Sequence, residues 1–175
     1  LWYAVGYTRS NTANFKADPE PDKQFRRSVY IFWKRTRAPP QMSTFDAPSR
    51  ESCTARRERT NTPQQALLLM NEGHYLRAAK HMAARALSQR DVDEAIDRIA
   101  WTFETVTARP PSEIEARELD GLLGTLRDHY AANPDQAAEL LSVDPSKPMG
   151  LDPTEHAAWM MIASTLLNLD EVVNK

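Results

Sequence analysis

The chain has 175 residues, of which 41% are hydrophobic and 26% charged, and a formal net charge of −2. These values exclude wholesale disorder and collagen-like or low-complexity identities, and no stretch approaches the ~20 apolar residues of a membrane span. A single cysteine excludes an internal disulfide and any multi-cysteine zinc or iron–sulfur site within the chain. The length suits one ordinary domain. The chain opens on Leu1-Trp2-Tyr3 with no initiator Met and no signal-peptide pattern, so it reads as a piece of something longer.

The first sixty residues are irregular. Residues 6–21 are polar and carry no sustained period, which predicts a loop or wrapping segment. Phe25 to Arg37 is a candidate helix ended by Ala38-Pro39-Pro40, because proline disfavours helical geometry in the residue before it. Gln41 to Asn61 contains turn and cap residues (Ser43, Asp46, Pro48, Ser49) and little apolar content. Lys23 to Arg59 carries a local charge of +7, whereas Thr60 to Lys175 carries −8. Such a division supports either an anion-binding surface or mutual neutralisation of the two halves across a shared interface.

Helix-start signals divide the remainder into short amphipathic helices. Thr62-Pro63-Gln64-Gln65 is a complete start, with Thr62 and Gln65 placed to cap each other and Pro63 at the first helical position. Asn71 is placed to end that helix and cap the next. Leu76, Ala79, Ala83 and Leu87 then line one helical face. Asp91 and Glu94 open a helix with the stripe Val92, Ile96, Ile99, Ala100, Phe103 and Val106, which Arg109-Pro110-Pro111 terminates. Ser112 with Glu115 caps the next, carrying Leu119, Leu122, Leu123, Leu126 and Tyr130. Asn133-Pro134 opens a shorter helix through Leu141. Asp152-Pro153-Thr154-Glu155 starts the last, with Trp159, Ile162, Ala163 and Leu166 facing inward. The predicted fold is mainly α: a bundle of about five to seven helices over 62–175, preceded by an irregular Arg-rich segment over 1–61, together one domain.

The candidate site is the polar segment that contains Asp46, Arg50, Glu51, Arg56, Arg57, Arg59 and Asn61. Arginine forks suit bidentate carboxylate, phosphate or sulfate contacts, so one reading is an anionic or polyhydroxylated ligand with a carboxylate positioning it. The other is a structural lattice that satisfies loop carbonyls and helix ends. The lattice is favoured, because a segment this poor in aliphatics needs such ties to stay ordered. Tyr30, Phe32 and Trp33 beside the basic block are candidate stacking platforms for nucleic acid. They serve equally as an apolar anchor, and the slightly acidic chain disfavours nucleic acid. His74, His81, His129 and His156 fit no metal motif and are expected on helix surfaces. Cys53 is expected as a small buried thiol, with no histidine near it in sequence to act as base. Core packing accounts for Trp101, Phe103, Trp159 and Met160-Met161.

Arg26-Arg27-Ser28-Val29-Tyr30-Ile31-Phe32-Trp33-Lys34-Arg35, Phe45-Asp46-Ala47-Pro48-Ser49-Arg50-Glu51, Arg56-Arg57-Glu58-Arg59-Thr60-Asn61-Thr62-Pro63, Gln65-Ala66-Leu67, Asn71 and Leu166-Leu167-Asn168-Leu169-Asp170-Glu171 carry a resemblance over roughly residues 25 to 172. They resemble the C-terminal domain of planctomycete-type proteins known as domain of unknown function 1553. The resemblance implies a long exported protein of the periplasm or cell envelope, in which another uncharacterised domain and a cytochrome-c-like domain lie upstream. It supplies no catalytic residues. Haem is implied only on the upstream domain, since this chain has no Cys-x-x-Cys-His; no cofactor or metal is expected in the segment itself. The expected role is therefore a structural or interaction domain whose partners are the upstream domains of the same polypeptide. The alternative is part of a binding or enzymatic site for an anionic or carbohydrate polymer, through the Arg-rich loop. The loop lacks the paired carboxylates or nucleophile–base pair that would specify a reaction.

Overall fold

A computed structural model describes residues 38–49, 52–89, 94–146 and 150–173. The candidate helix over 25–37, the aromatic cluster within it, and Arg50, Glu51, Asp91 and Val92 lie outside the described residues. Among the described residues there are eight helices and no strand, a mainly α fold. The chain divides into two compact units, Leu1–Gln65 and Ala66–Lys175.

In the first unit, Pro39 and Pro40 begin a helix. Pro40 takes the first position of α1 (Pro40–Thr44), where its missing N–H costs nothing. The Ser43 and Thr44 hydroxyls donate back to the carbonyls of Pro39 and Pro40. The sequence shows only turn residues here because one helical turn is too short to display a period. Helix α2 (Pro63–Asn71) starts at the boundary between the units with the expected reciprocal cap. Thr62 N–H donates to Gln65 Oε1 at 2.9 Å, and Gln65 N–H donates to Thr62 Oγ1 at 3.3 Å.

The second unit is built around one helix. Asn71 does not cap α3 (Gly73–Leu87); its amide turns back to the Leu67 carbonyl within α2. Glu72 is the cap instead, extended in backbone, its carboxylate accepting from His74 N–H at 2.8 Å. Helix α4 (Ala95–Thr107) ends at Ala108, which adopts left-handed geometry at φ 62° before the two prolines. Its inward face is turned from the expected stripe. Ile96 is 38% exposed, while Thr102 and Thr107 are buried, their hydroxyls donating to the Arg98 and Phe103 carbonyls. Threonine buried in this way leaves no orphan hydroxyl, so polar positions join Ile99 and Phe103 in the core.

Helix α5 (Glu113–Ala132) begins with the predicted Ser112–Glu115 capping box and buries Leu119, Leu123 and Tyr130. Helix α6 (Pro134–Leu141) follows Asn133 directly, and Asp152 caps α7 (Pro153–Leu167) through Glu155 N–H at 2.9 Å. A further turn, α8 (Asp170–Val173), follows α7.

The expectation for α7 was one inward face. Instead His156 to Met160, Ile162 to Ser164 and Leu166 are all buried, so the helix is covered on nearly all sides. A helix apolar all round belongs at the centre of a core, and α7 packs on α3, α4, α5, α6 and α8. Its most extensive contact is with α3, which buries Ala79, Ala83 and Ala86. Alanine on both helices (Ala157, Ala158 and Ala163 on α7) lets the backbones approach closely. Arg109 clamps the rim: it pairs with Glu115 at the start of α5 and Glu171 in α8, both at 2.7 Å, and lies 4.8 Å over the Phe103 ring. The Arg109 fork holds the Glu115 carboxyl down to about 2, with help from Ser112.

Candidate functional site

Asp46 organises the Arg-rich segment. It follows α1 in left-handed geometry, φ 57°, a conformation that aspartate tolerates through local hydrogen bonds. This turn aims the carboxylate across the segment, where Oδ2 accepts from Thr60 N–H and Thr60 Oγ1, each at 2.8 Å. The Thr60 hydroxyl, its backbone N–H and the nearby Arg57 guanidinium hold the Asp46 carboxyl below its usual range despite some desolvation. Gln65 completes the knot: its side-chain amide donates to the Thr44 carbonyl at 2.8 Å and to Thr60 Oγ1 at 3.0 Å. Gln65 is buried, and its other amide atom caps α2, so one side chain joins the ends of α1 and α2.

Arg57 faces the chain's own backbone. Its Nε donates to the Asp46 carbonyl at 3.2 Å, and a terminal nitrogen donates to the Phe45 carbonyl. A planar fork that reaches two successive carbonyls fixes the turn from the outside. Of the predicted residues, the structure thus brings Asp46 and Arg57 together. Arg56, Arg59 and Asn61 are exposed on the same segment.

Cys53 is exposed, contrary to the expected buried thiol. Residues 52–59 form an exposed run, so the thiol shares the exposure of its polar neighbours. Thr60 and Gln65, which take the Asp46 carboxylate, were absent from the sequence reading of this site. The signal was present in the Gln65 cap, but a cap glutamine's second function depends on what the fold brings beside it.

A second polar cluster lies in the second unit. Lys80 is 2% exposed, and its ammonium donates to the carbonyls of Leu141 (2.8 Å), Asp144 (2.5 Å) and Ser146 (2.7 Å). The Asp144 carboxylate is also buried and accepts from Ser146 N–H and Oγ; His81 Nε2 stands 2.7 Å from it and Arg77 3.7 Å. Burial alone raises the Asp144 carboxyl, but Ser146, His81 and Arg77 outweigh it and hold it down to about 2. His156 corrects the expectation of surface histidines: it is 3% exposed, with Nε2 3.0 Å from the Lys80 carbonyl. Because a carbonyl only accepts, Nε2 carries the proton there. The alanine stripe of α3 concealed the cluster, since Lys80 beside Ala79 reads as the polar flank.

Among the described residues, no group of three or more His, Cys, Asp or Glu is placed to hold a metal ion. None of their helices is long and apolar enough to cross a membrane. The sole cysteine, followed by Thr54 and Ala55, does not fit covalent haem attachment.

The described residues are thus mainly α, and their Arg-rich segment is knotted through Asp46. The family model described as "PSD1: Protein of unknown function (DUF1553)" matches residues 5–123, and the chain belongs to that family. The matched region contains the Asp46 knot and ends within α5; Asp144 and α7 lie beyond it. No curated protein and no solved structure matches the chain.

Proposed function

We propose that the chain is a structural and interaction domain of a larger exported protein, docking on upstream domains of the same polypeptide, one of them cytochrome-c-like and haem-bearing. The export, the haem-bearing neighbour and the docking come from the resemblance of the quoted motifs. The observation that carries the structural reading is the direction of the charges at Asp46. Its carboxylate takes the Thr60 donors, and Arg57 takes the Phe45 and Asp46 carbonyls. These groups hold two helix ends and a left-handed turn in place, which is the work of a scaffold.

The exposure of Arg56 and Arg59 favours a second reading, contact with an anionic or carbohydrate polymer. Calorimetric titration with a sulfated polysaccharide tests it. The scaffold reading expects no saturable binding at physiological salt. Binding that is lost in Arg56→Ala and Arg59→Ala, weakens as salt rises and leaves the melting temperature unchanged would install the polymer-binding reading instead.

A further inference from the structure

We propose that His156, Lys80 and Asp144 form an acid-sensitive latch, which holds the end of α6 and the turn from Leu141 to Ser146 on α3 and releases them when His156 takes up a second proton. Lys80 is gripped at both ends. Its backbone carbonyl accepts from His156 of α7, and its ammonium holds the carbonyls of Leu141, Asp144 and Ser146, where α6 ends and the connection begins. These carbonyls are the unpaired end of α6 and the turn after it, so the ammonium serves as a cap supplied from another helix.

The ring that completes this arrangement is neutral for a geometric reason. It is buried in the first turn of α7, at the positive end of the helix dipole, and Lys80 and His81 of α3 act on it electrostatically. Burial and these two neighbours depress its affinity for a proton, although the Lys80 carbonyl favours the charged form. A proton added to His156 places a second buried cation beside Lys80. The Lys80 stem is long and flexible, whereas α7 is fixed by the core, so the ammonium is the group that yields, and the three carbonyls are released with it.

The other charged groups around the cluster do not drive this release. Asp144 in the connection stays ionised down to about pH 2. Arg77 on α3 stands 3.7 Å from the same carboxylate. On α7, burial raises the Glu155 carboxyl, but its pair with Arg127 of α5 and the Trp159 donor hold it below the usual range; Asp152 is likewise held down by Thr154 and the Glu155 N–H. His81 Nε2 stands 2.7 Å from the Asp144 carboxylate and so lies on the connection's side of Lys80's helix. The direction follows from linkage. A histidine whose affinity for protons is lowered by folding stabilises the closed form above the ordinary histidine range, and that stabilisation is lost as pH falls below about 6.5. Each pH unit lost there lowers the closed-to-open ratio by up to about tenfold.

The test is nuclear magnetic resonance of the whole chain between about pH 7.5 and 5. The Lys80 ammonium gives a resolved proton–nitrogen signal only while its protons are held by the carbonyls. We expect that signal at the upper pH and its loss toward the lower, tracking the His156 ring titration, while the Leu123 amide of α5 stays protected. Solvent exchange of free ammonium protons slows in acid, so loss in that direction reports release. His156→Gln keeps an N–H donor without a titrating ring and should retain the signal throughout. A signal that persists to the lower pH in the wild-type chain, that disappears equally in His156→Gln, or that is lost together with the α5 amides would overturn the latch. Should His156→Gln fail to fold, the wild-type titration decides alone.

Discussion

Trp159→Ala should be among the most destabilising single substitutions in the bundle, lowering unfolding free energy by about 3–5 kcal/mol in urea titrations. Trp159 is fully buried on the helix that packs on α3, α4, α5, α6 and α8. Truncation removes the largest side chain of the core and opens a cavity where α7 has no outer face on which to relax. It also removes the indole N–H donor to Glu155 at 2.8 Å and the ring under the Arg98 guanidinium, 5.9 Å from its centroid. Trp159→Phe refills most of the volume and should cost about 1–3 kcal/mol, chiefly for shape and for the lost donor. Trp101 is the comparison, since it is only partly buried at the edge of the core. Trp101→Ala should cost less than half as much as Trp159→Ala; equal losses would contradict α7 as the centre of the fold.

Lys80→Met should cost about 2–4 kcal/mol despite keeping the apolar stem and losing a charge from the interior. The reason lies in what remains. The carbonyls of Leu141, Asp144 and Ser146 lose a common donor, and the buried Asp144 carboxylate loses the cation at its backbone. Removing one side of a satisfied buried arrangement costs more than never having built it. Lys80→Arg should be harmful as well, because a flat fork does not reproduce three donors directed from one nitrogen. Equilibrium denaturation at neutral pH checks both variants. If Lys80→Met unfolds like wild type, the ammonium is not holding the end of α6.

These expectations depend on features that differ in how far the sequence displays them. Helix starts were legible because they are local. Thr62 with Gln65, Ser112 with Glu115, and Asp152 before Pro153 each satisfy orphan N–H groups within one turn, so four consecutive residues suffice. The stripe of α5 was legible for a similar reason, since an amphipathic helix on the outside of a bundle records its orientation in its period. The centrality of α7 was not. A helix covered on nearly all sides has little period to read, and its apolar run suggests burial without naming its neighbours.

The polar knots show the same boundary. Asp46 and Arg57 were legible as members of a polar segment that needs ties, but Thr60 and Gln65 were not, because what Asp46 accepts depends on a left-handed turn at that residue. Lys80 and Asp144 are separated by 64 positions, and no periodicity joins them. Arg50 and Glu51 lie outside the described residues, so the knot stands on Asp46, Arg57, Thr60 and Gln65.

Thermal denaturation of Asp46→Ala, Arg57→Ala and Arg56→Ala, with Arg117→Ala on exposed α5 as the control, tests the scaffold reading most directly. Asp46→Ala removes the acceptor of Thr60 and places alanine in a left-handed turn, a conformation it adopts less readily than aspartate. Arg57→Ala removes the donor to the Phe45 and Asp46 carbonyls. Both should melt several degrees below wild type, as the loss of interactions made only in the folded chain requires. Arg56→Ala should melt with the Arg117→Ala control, as ordinary surface positions do. If Asp46→Ala and Arg57→Ala also melt with the control, the Arg-rich segment is not built to hold the fold, and the central claim is contradicted.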